Sequence, residues 1–363
     1  MKELLGIIFQ MIVLMTLWLI SVIGNSLVLT VVFRSKRLQS TTNYFVVSLA
    51  LTDMVMTIFC MPFIGTRIVS QQWIIKEALC KWTRFVEYVV PSVTAFILIA
   101  ISTDRFYTII YPLTFKITRG IAKRLILLSW LFAVLLSCPS FFTTYTHTDS
   151  EKNETFCSIC SAEPGGRSFI LGLFLMTYVF PGIMVVSIYC KVVSYIWTVG
   201  GGARTFQRTS NTIPRAKVKT VKMLIFVTIV HFFSWLPLFF VQITRAFDED
   251  ACVVKTSMYV GTVLLAYAPS ASNVAIYSYY NSNFRRGCKE VFCMSTIRCQ
   301  RGETYAITKA SRLRKSNSVI PLSSSSVETD VTNSSYIRFD RTANGDCNIA
   351  WPLTSTGSNN TYV

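Results

Sequence analysis

The side chains able to do chemistry are few and stand in unlikely company. Asp53 lies inside Leu49-Ala-Leu-Thr-Asp53-Met, Glu87 and the pair Asp104-Arg105 share one apolar run, and His231 interrupts another. An ionisable group in such a run costs about 2.5–3.5 kcal/mol on membrane-insertion scales, so Asp53 should face an interior and have a partner. A plain helix-packing role is the alternative. Catalysis is not what these residues suggest. No nucleophile–base set or His/Glu metal cluster is present, and the histidines are His147 and His231. Cys157-x-x-Cys160 has neither a second pair nor a nearby His, so it lacks zinc spacing.

The elements that must position these groups are long and apolar. Charged residues make up 15% of 363, hydrophobic residues 52%, and mean hydropathy is +0.47; a soluble chain carries roughly a quarter charged residues. Seven spans stand out, at Leu4–Phe33, Tyr44–Val69, Leu79–Tyr111, Leu125–Phe142, Phe169–Val199, Met223–Phe247 and Thr256–Tyr280. Each reaches the length of about 20 residues that crosses a bilayer core, although the fourth falls slightly short. The first run is too long for a signal peptide, lacks a clear cleavage site and contains Asn25, so it reads as a retained helix.

The net charge of +17 is placed by topology and not by nucleic acid. Lys and Arg gather after spans one, three, five and seven, whereas Asp149, Glu151, Glu154, Glu163, Asp248, Glu249 and Asp250 occupy the alternate loops. The positive-inside rule then sets the N-terminus outside and the C-terminus in the cytosol of a multi-pass plasma-membrane protein. Asn153-Glu-Thr becomes an outside glycosylation acceptor. Residues after Tyr280 suit an amphipathic eighth helix lying on the inner leaflet. From about residue 300 the tail turns polar and reads as disordered.

Several motifs recur together. They are Gly24-Asn25, Asp53, Asp104-Arg105-Phe106, Trp130, Pro181 with Tyr189, Ser234-Trp235-Leu236-Pro237, and Asn273-x-x-x-Tyr277. In this order, across all seven spans, they resemble the class A, rhodopsin-like G-protein-coupled receptors. The resemblance implies an all-α membrane fold: a seven-transmembrane bundle with a membrane-surface helix over residues 1–299, then a cytoplasmic tail over 300–363. It implies that Arg105 pairs with Asp104 at rest and turns to a heterotrimeric G protein when active. Tyr189 and Tyr277 then hold the opened state, and Leu113 fills a socket on the G protein. Trp235 and Pro237 become a hinge, since Pro237 removes a helix hydrogen bond. Asp53, Thr94, Ser270 and Asn273 match a sodium site, with oxygen ligands that suit such a cation, although Pro269 replaces a usual amide. Cys80 is expected to bridge to the second outer loop through Cys157, with Cys160 as the other candidate; Cys160 could otherwise pair with Cys252.

Three departures stand out. His231 replaces an aromatic below Trp235, and reads either as a pH-sensitive switch residue or as a neutral core histidine. Val274 replaces the proline of the span-seven motif. Lys217 sits where an acid would lock Arg105, which points to high basal activity.

Glu87 lies eighteen residues before Arg105, about 27 Å along a helix, so it belongs to the outer half of the bundle. There it either binds a cationic ligand group, opposite Tyr267, or is satisfied by Arg84 or Tyr267 itself. Tyr88, Pro91, Trp235 and Gln242 are the other expected pocket residues. Acidic outer loops favour a basic peptide by steering. In the tail, Cys288, Cys293 and Cys299 suit palmitoylation. Ser323–Ser326 with Thr329 and Thr332 suit receptor kinases and arrestin, and Thr361-Tyr362-Val363 has the form that adds a strand to a PDZ domain. Two readings compete with a ligand-driven receptor: a constitutively active receptor acting as a membrane scaffold, and a transporter or channel, for which the paired repeats are missing.

Overall fold

The computed structural model describes residues 2–35, 38, 40–114, 116–149, 154–159, 164–201, 214–247 and 256–291. The expected sites at Asn153, Cys160, Cys252, Cys293, Cys299, the serine run and the last three residues lie outside them.

Helices dominate. They are α1 (Lys2–Arg34), α2 (Thr41–Phe59), α3 (Met61–Ser70), α4 (Glu77–Ile110), α5 (Arg119–Ser137), α6 (Ser140–Thr143), α7 (Pro164–Phe174), α8 (Phe180–Gly201), α9 (Arg215–Phe247) and α10 (Thr256–Tyr280). Residues 282–291 are helical as well. A hairpin of β1 (Tyr145–Asp149) and β2 (Glu154–Ser158) follows α6.

Span two divides into α2 and α3 because Pro62 stands at the start of the second piece. Proline disfavours helical backbone in the residue before it, and the chain bends at Cys60 (φ −115°, ψ −46°). Span five divides for a similar reason. Pro181 has no N–H to give the Thr177 carbonyl, and Leu175–Val179 widens into a π turn just before it.

Six spans are long and apolar enough to cross a membrane. The seventh, α10, has no charged residue but is thick with Tyr, Ser, Thr and Asn, a more polar element than its place in the apolar count implied. Span three is the hub: 83% of its most apolar window is buried in the bundle, against 11% for span one. Outward faces carry Phe9, Phe33, Phe180, Trp197, Phe233 and Phe240, all exposed, as expected where the solvent is lipid.

Two glycines allow close approaches. A Cβ on Gly24 would come within 2.7 Å of the Val274 side chain, so α1 and α10 touch there because the glycine is bare. A Cβ on Gly287 would meet Leu38 at 2.8 Å and Val31 at 2.9 Å, and this contact seats helix 282–291 against the end of α1. Ser35 donating to Glu290 (3.3 Å) and buried Phe284 complete that seat.

Candidate functional site: two charged ends of one helix

Helix α4 runs from a disulfide to a buried aspartate–arginine pair, and both candidate sites are hung on it. At its first end, Cys80 and Cys157 are disulfide-bonded. The bond ties the hairpin to α4, and the Trp73 N–H donates to the Thr155 carbonyl at 2.7 Å to hold the hairpin from the other side. The hairpin therefore caps this end of the bundle.

Beneath it lies a cavity of about 260 Å³, counting space open to solvent, lined by Arg84, Tyr88, Ile159, Gln242, Arg245 and Tyr259. Arg84 organises it. One nitrogen donates to Glu87 Oε2 (2.5 Å) and to the Tyr259 hydroxyl, and the other to the Cys157 carbonyl (2.7 Å). The Tyr267 hydroxyl lies 3.5 Å from Glu87 Oε1. Glu87 is 1% exposed. Of the two settings that the sequence leaves open for it, the structure places it in the second, satisfied by both Arg84 and Tyr267.

Of the expected pocket residues, Tyr88 and Gln242 line the cavity. Glu87, Pro91, Trp235 and Tyr267 are buried but stand outside its lining. Trp235 is about two turns further along α9 than Gln242, and Tyr267 about two turns along α10 from Tyr259. Sequence reasoning missed Arg245, Tyr259 and Ile159. An available signal was Arg245 itself, a basic residue in the last turn of span six, beside acids and on the side the charge rule reserves for few cations.

From the cavity a series of rings follows one face of α9. Phe239 meets Trp235 (centroids 6.4 Å) and Trp235 meets His231 (6.3 Å). Phe174 and Tyr178, on the π-widened part of span five, pack on Phe239 at 5.6 and 5.9 Å. Pro237 falls inside this stretch and leaves the Phe233 carbonyl without its helical donor. His231 is buried among these rings.

Across the middle, Asn273 donates to Asp53 Oδ2 at 3.0 Å. Asn25 donates to the carbonyls of Ser21 (2.9 Å) and Ser270 (3.0 Å), and Trp130 donates to Ser48 Oγ (3.0 Å). Ser270 and Thr94 are buried nearby on α10 and α4. The Asn273 amide oxygen is buried without a hydrogen-bond partner. A carboxylate beside a spare amide oxygen is the donor set a hard monovalent cation takes, so these residues fit sodium.

At the far end of α4, Asp104 is 2% exposed and holds Arg105, which donates to it through Nε (3.1 Å) and Nη2. Arg105 also reaches Thr42 Oγ1 at 2.5 Å. Lys217, at the start of α9, donates instead to the Thr108 carbonyl (3.3 Å). Tyr189 and Tyr277 are buried in the same half. The Tyr277 hydroxyl has no hydrogen-bond partner, and that of Tyr189 has the Thr228 hydroxyl beside it. Leu113, in the turn after α4, is 97% exposed. Cys288, on helix 282–291, is partly buried, and burial pushes its thiol up.

The sequence has relatives that cover nearly all of it. It is 41% identical to the probable G-protein coupled receptor 19 of Mus musculus over 96% of this chain and 82% of that receptor. More distantly it is 29% identical to the neuropeptide FF receptor 1 of Rattus norvegicus, over 76% of this chain and 68% of that one. It is 28% identical to the galanin receptor type 2 of the same animal, over 78% and 75%. Residues 24–277 match the pattern of the 7 transmembrane receptor (rhodopsin family). They begin at the glycine that lets α1 meet α10 and end at the tyrosine buried beside Arg105's half of the bundle, and the chain belongs to that receptor family.

Proposed function

We propose that this chain sits in the plasma membrane with its N-terminus outside, binds an extracellular peptide at the disulfide end, and passes the event to a heterotrimeric G protein at the Arg105 end. The observation that carries the reading is α4 itself. One helix lines a cavity with Arg84 and Tyr88 and, about 20 residues on, presents an arginine held by its own neighbour and one threonine. Relatives named for neuropeptide FF and galanin support a peptide ligand.

A ligand entering the cavity meets Gln242 and Arg245 on α9. Displacing them presses on Phe239 and Trp235, and the weakened ladder at Pro237 lets the far part of α9 swing. Arg105 then leaves Asp104 for the G protein, the Tyr189 and Tyr277 hydroxyls gain partners, and Leu113 docks. Asp53, Thr94, Ser270 and Asn273 hold a sodium ion whose charge favours the resting state. Asn153 carries a glycan, and Cys288, Cys293 and Cys299 are acylated. Ser323–Ser326 recruit kinases and arrestin, and Thr361-Tyr362-Val363 engages a PDZ protein.

One observation favours a second reading, basal signalling without ligand. Lys217 bonds to a backbone carbonyl, so no acid at that position ties α9 to Arg105. G-protein activation in cells, measured without ligand and with peptide libraries, tests both readings. Signal in the parent that Arg105→Ala abolishes is expected. No signal from any G protein in either condition overturns the receptor mechanism.

A further inference from the structure

The cavity is richer in cations than in acids. Around the Tyr259 ring the guanidinium carbons of Arg67 and Arg245 lie 4.3 Å from the centroid and that of Arg84 lies 5.2 Å away. The three side chains belong to residues that are 1%, 3% and 5% exposed. Glu87 is the carboxylate that answers them, and both its oxygens are engaged, by Arg84 and Tyr267. Arg67 keeps Nε and Nη2 buried without a hydrogen-bond partner. The acids that follow Arg245 in sequence lie outside the described residues.

Arginine cannot shed its proton in a protein, and a buried guanidinium without a counter-charge costs several kcal/mol. Three guanidiniums to one carboxylate therefore make a place that gains by receiving an anion. Two of the three, Arg84 and Arg245, open onto the cavity, with the Gln242 amide between elements as a neutral donor. The Tyr259 hydroxyl accepts from Arg84, which leaves its own O–H to give. At about 260 Å³ the cavity is smaller than a typical site for a whole drug-sized ligand, and it suits one charged group at the tip of a longer molecule.

We propose that this cavity takes a carboxylate of the extracellular ligand, either a peptide's free C-terminus or an Asp or Glu side chain, between Arg245 and Arg84. The inference rests on the receptor reading above and reverses the sign of the expected ligand. Acidic outer loops act through a long-range field that salt screens, whereas the cavity reads charge at contact distance.

The test uses the purified full-length receptor in nanodiscs of phosphatidylcholine, at constant ionic strength, with its melting temperature as readout. The probes are glutarate, 1,5-diaminopentane, which has the same spacing and opposite charge, and inorganic phosphate. Glutarate is expected to raise the melting temperature of the parent by several degrees and that of Lys222→Gln equally, with Arg245→Gln losing the response. Arg67→Gln, weakened in its response, serves if Arg245→Gln does not fold. The proposal is overturned if the diamine stabilises and glutarate does not, if phosphate alone stabilises, if nothing does, or if glutarate acts equally on all variants. Because nothing in this readout passes through Arg105, a silent G-protein assay with an intact glutarate response would sink the signalling reading and spare the site.

Discussion

The two arginines of α4 are held in opposite ways. Arg84 is gripped from three directions, by Glu87 on its own helix, by Tyr259 on α10 and by the carbonyl of the disulfide-bonded Cys157. Arg105 is held by the residue before it and by one hydroxyl from α2. To move Arg84 the hairpin, α4 and α10 must all yield. To move Arg105, two side-chain bonds must be exchanged. The receptor is thus fixed at the end where a ligand must be read and loosely latched at the end where a partner must be admitted.

The largest expected effect comes from breaking the fixed end. Arg84→Met leaves Glu87 buried and unpaired, and a loss of about 3–5 kcal/mol is expected for breaking one partner of a buried pair. Thermal unfolding of the purified receptor reads it, and Arg84→Met with Glu87→Met should recover much of the loss. If the double variant is no better than the single, the two side chains are not the unit described. Cys157→Ser, which frees the hairpin, is expected to cost about 2–5 kcal/mol and to lower surface expression.

The latched end should respond in activity more than in stability. Asp104→Asn weakens the hold on Arg105, and a bias of about 1.4 kcal/mol toward the active state would raise ligand-free signalling about tenfold. Unchanged basal signalling would mean that Thr42 or the backbone, and not Asp104, keeps Arg105 at rest. The smallest stability effect belongs to Leu113→Ala. An exposed side chain changes stability by no more than about 0.5 kcal/mol, so a fall in G-protein activation at unchanged melting temperature is the expected pattern, and a parallel fall in both would remove Leu113 from the coupling surface.

The same contrast explains what the sequence made legible. The latched end is written locally: Asp104 and Arg105 are neighbours, and the spans that carry them were bounded within a few residues by apolar run length. The Cys80–Cys157 bridge and the Asp53 setting also follow the family pattern. The cavity was hidden because its pairs are remote. Arg84 meets Tyr259 across 175 positions, and no period or spacing records which of several tyrosines on α10 faces which arginine. The division of span two at Cys60 was missed for a different reason: a continuous apolar run looks the same whether or not Pro62 bends it, and that bend stands just ahead of the stretch that carries Arg67 to the Tyr259 ring.

The polarity of α10 has a consequence for how the protein is made. The other spans can be handed to lipid one at a time, because each is apolar enough to stay there. Without a comparable apolar excess, α10 is kept in place by what it touches: α9, the bare face of Gly24, and Asp53 through Asn273. It must be received by neighbours already standing in the bilayer. Substitutions such as Gly24→Leu then act during synthesis, as a last helix that fails to stay inserted, and chaperones and the degradation machinery will register them before any ligand does.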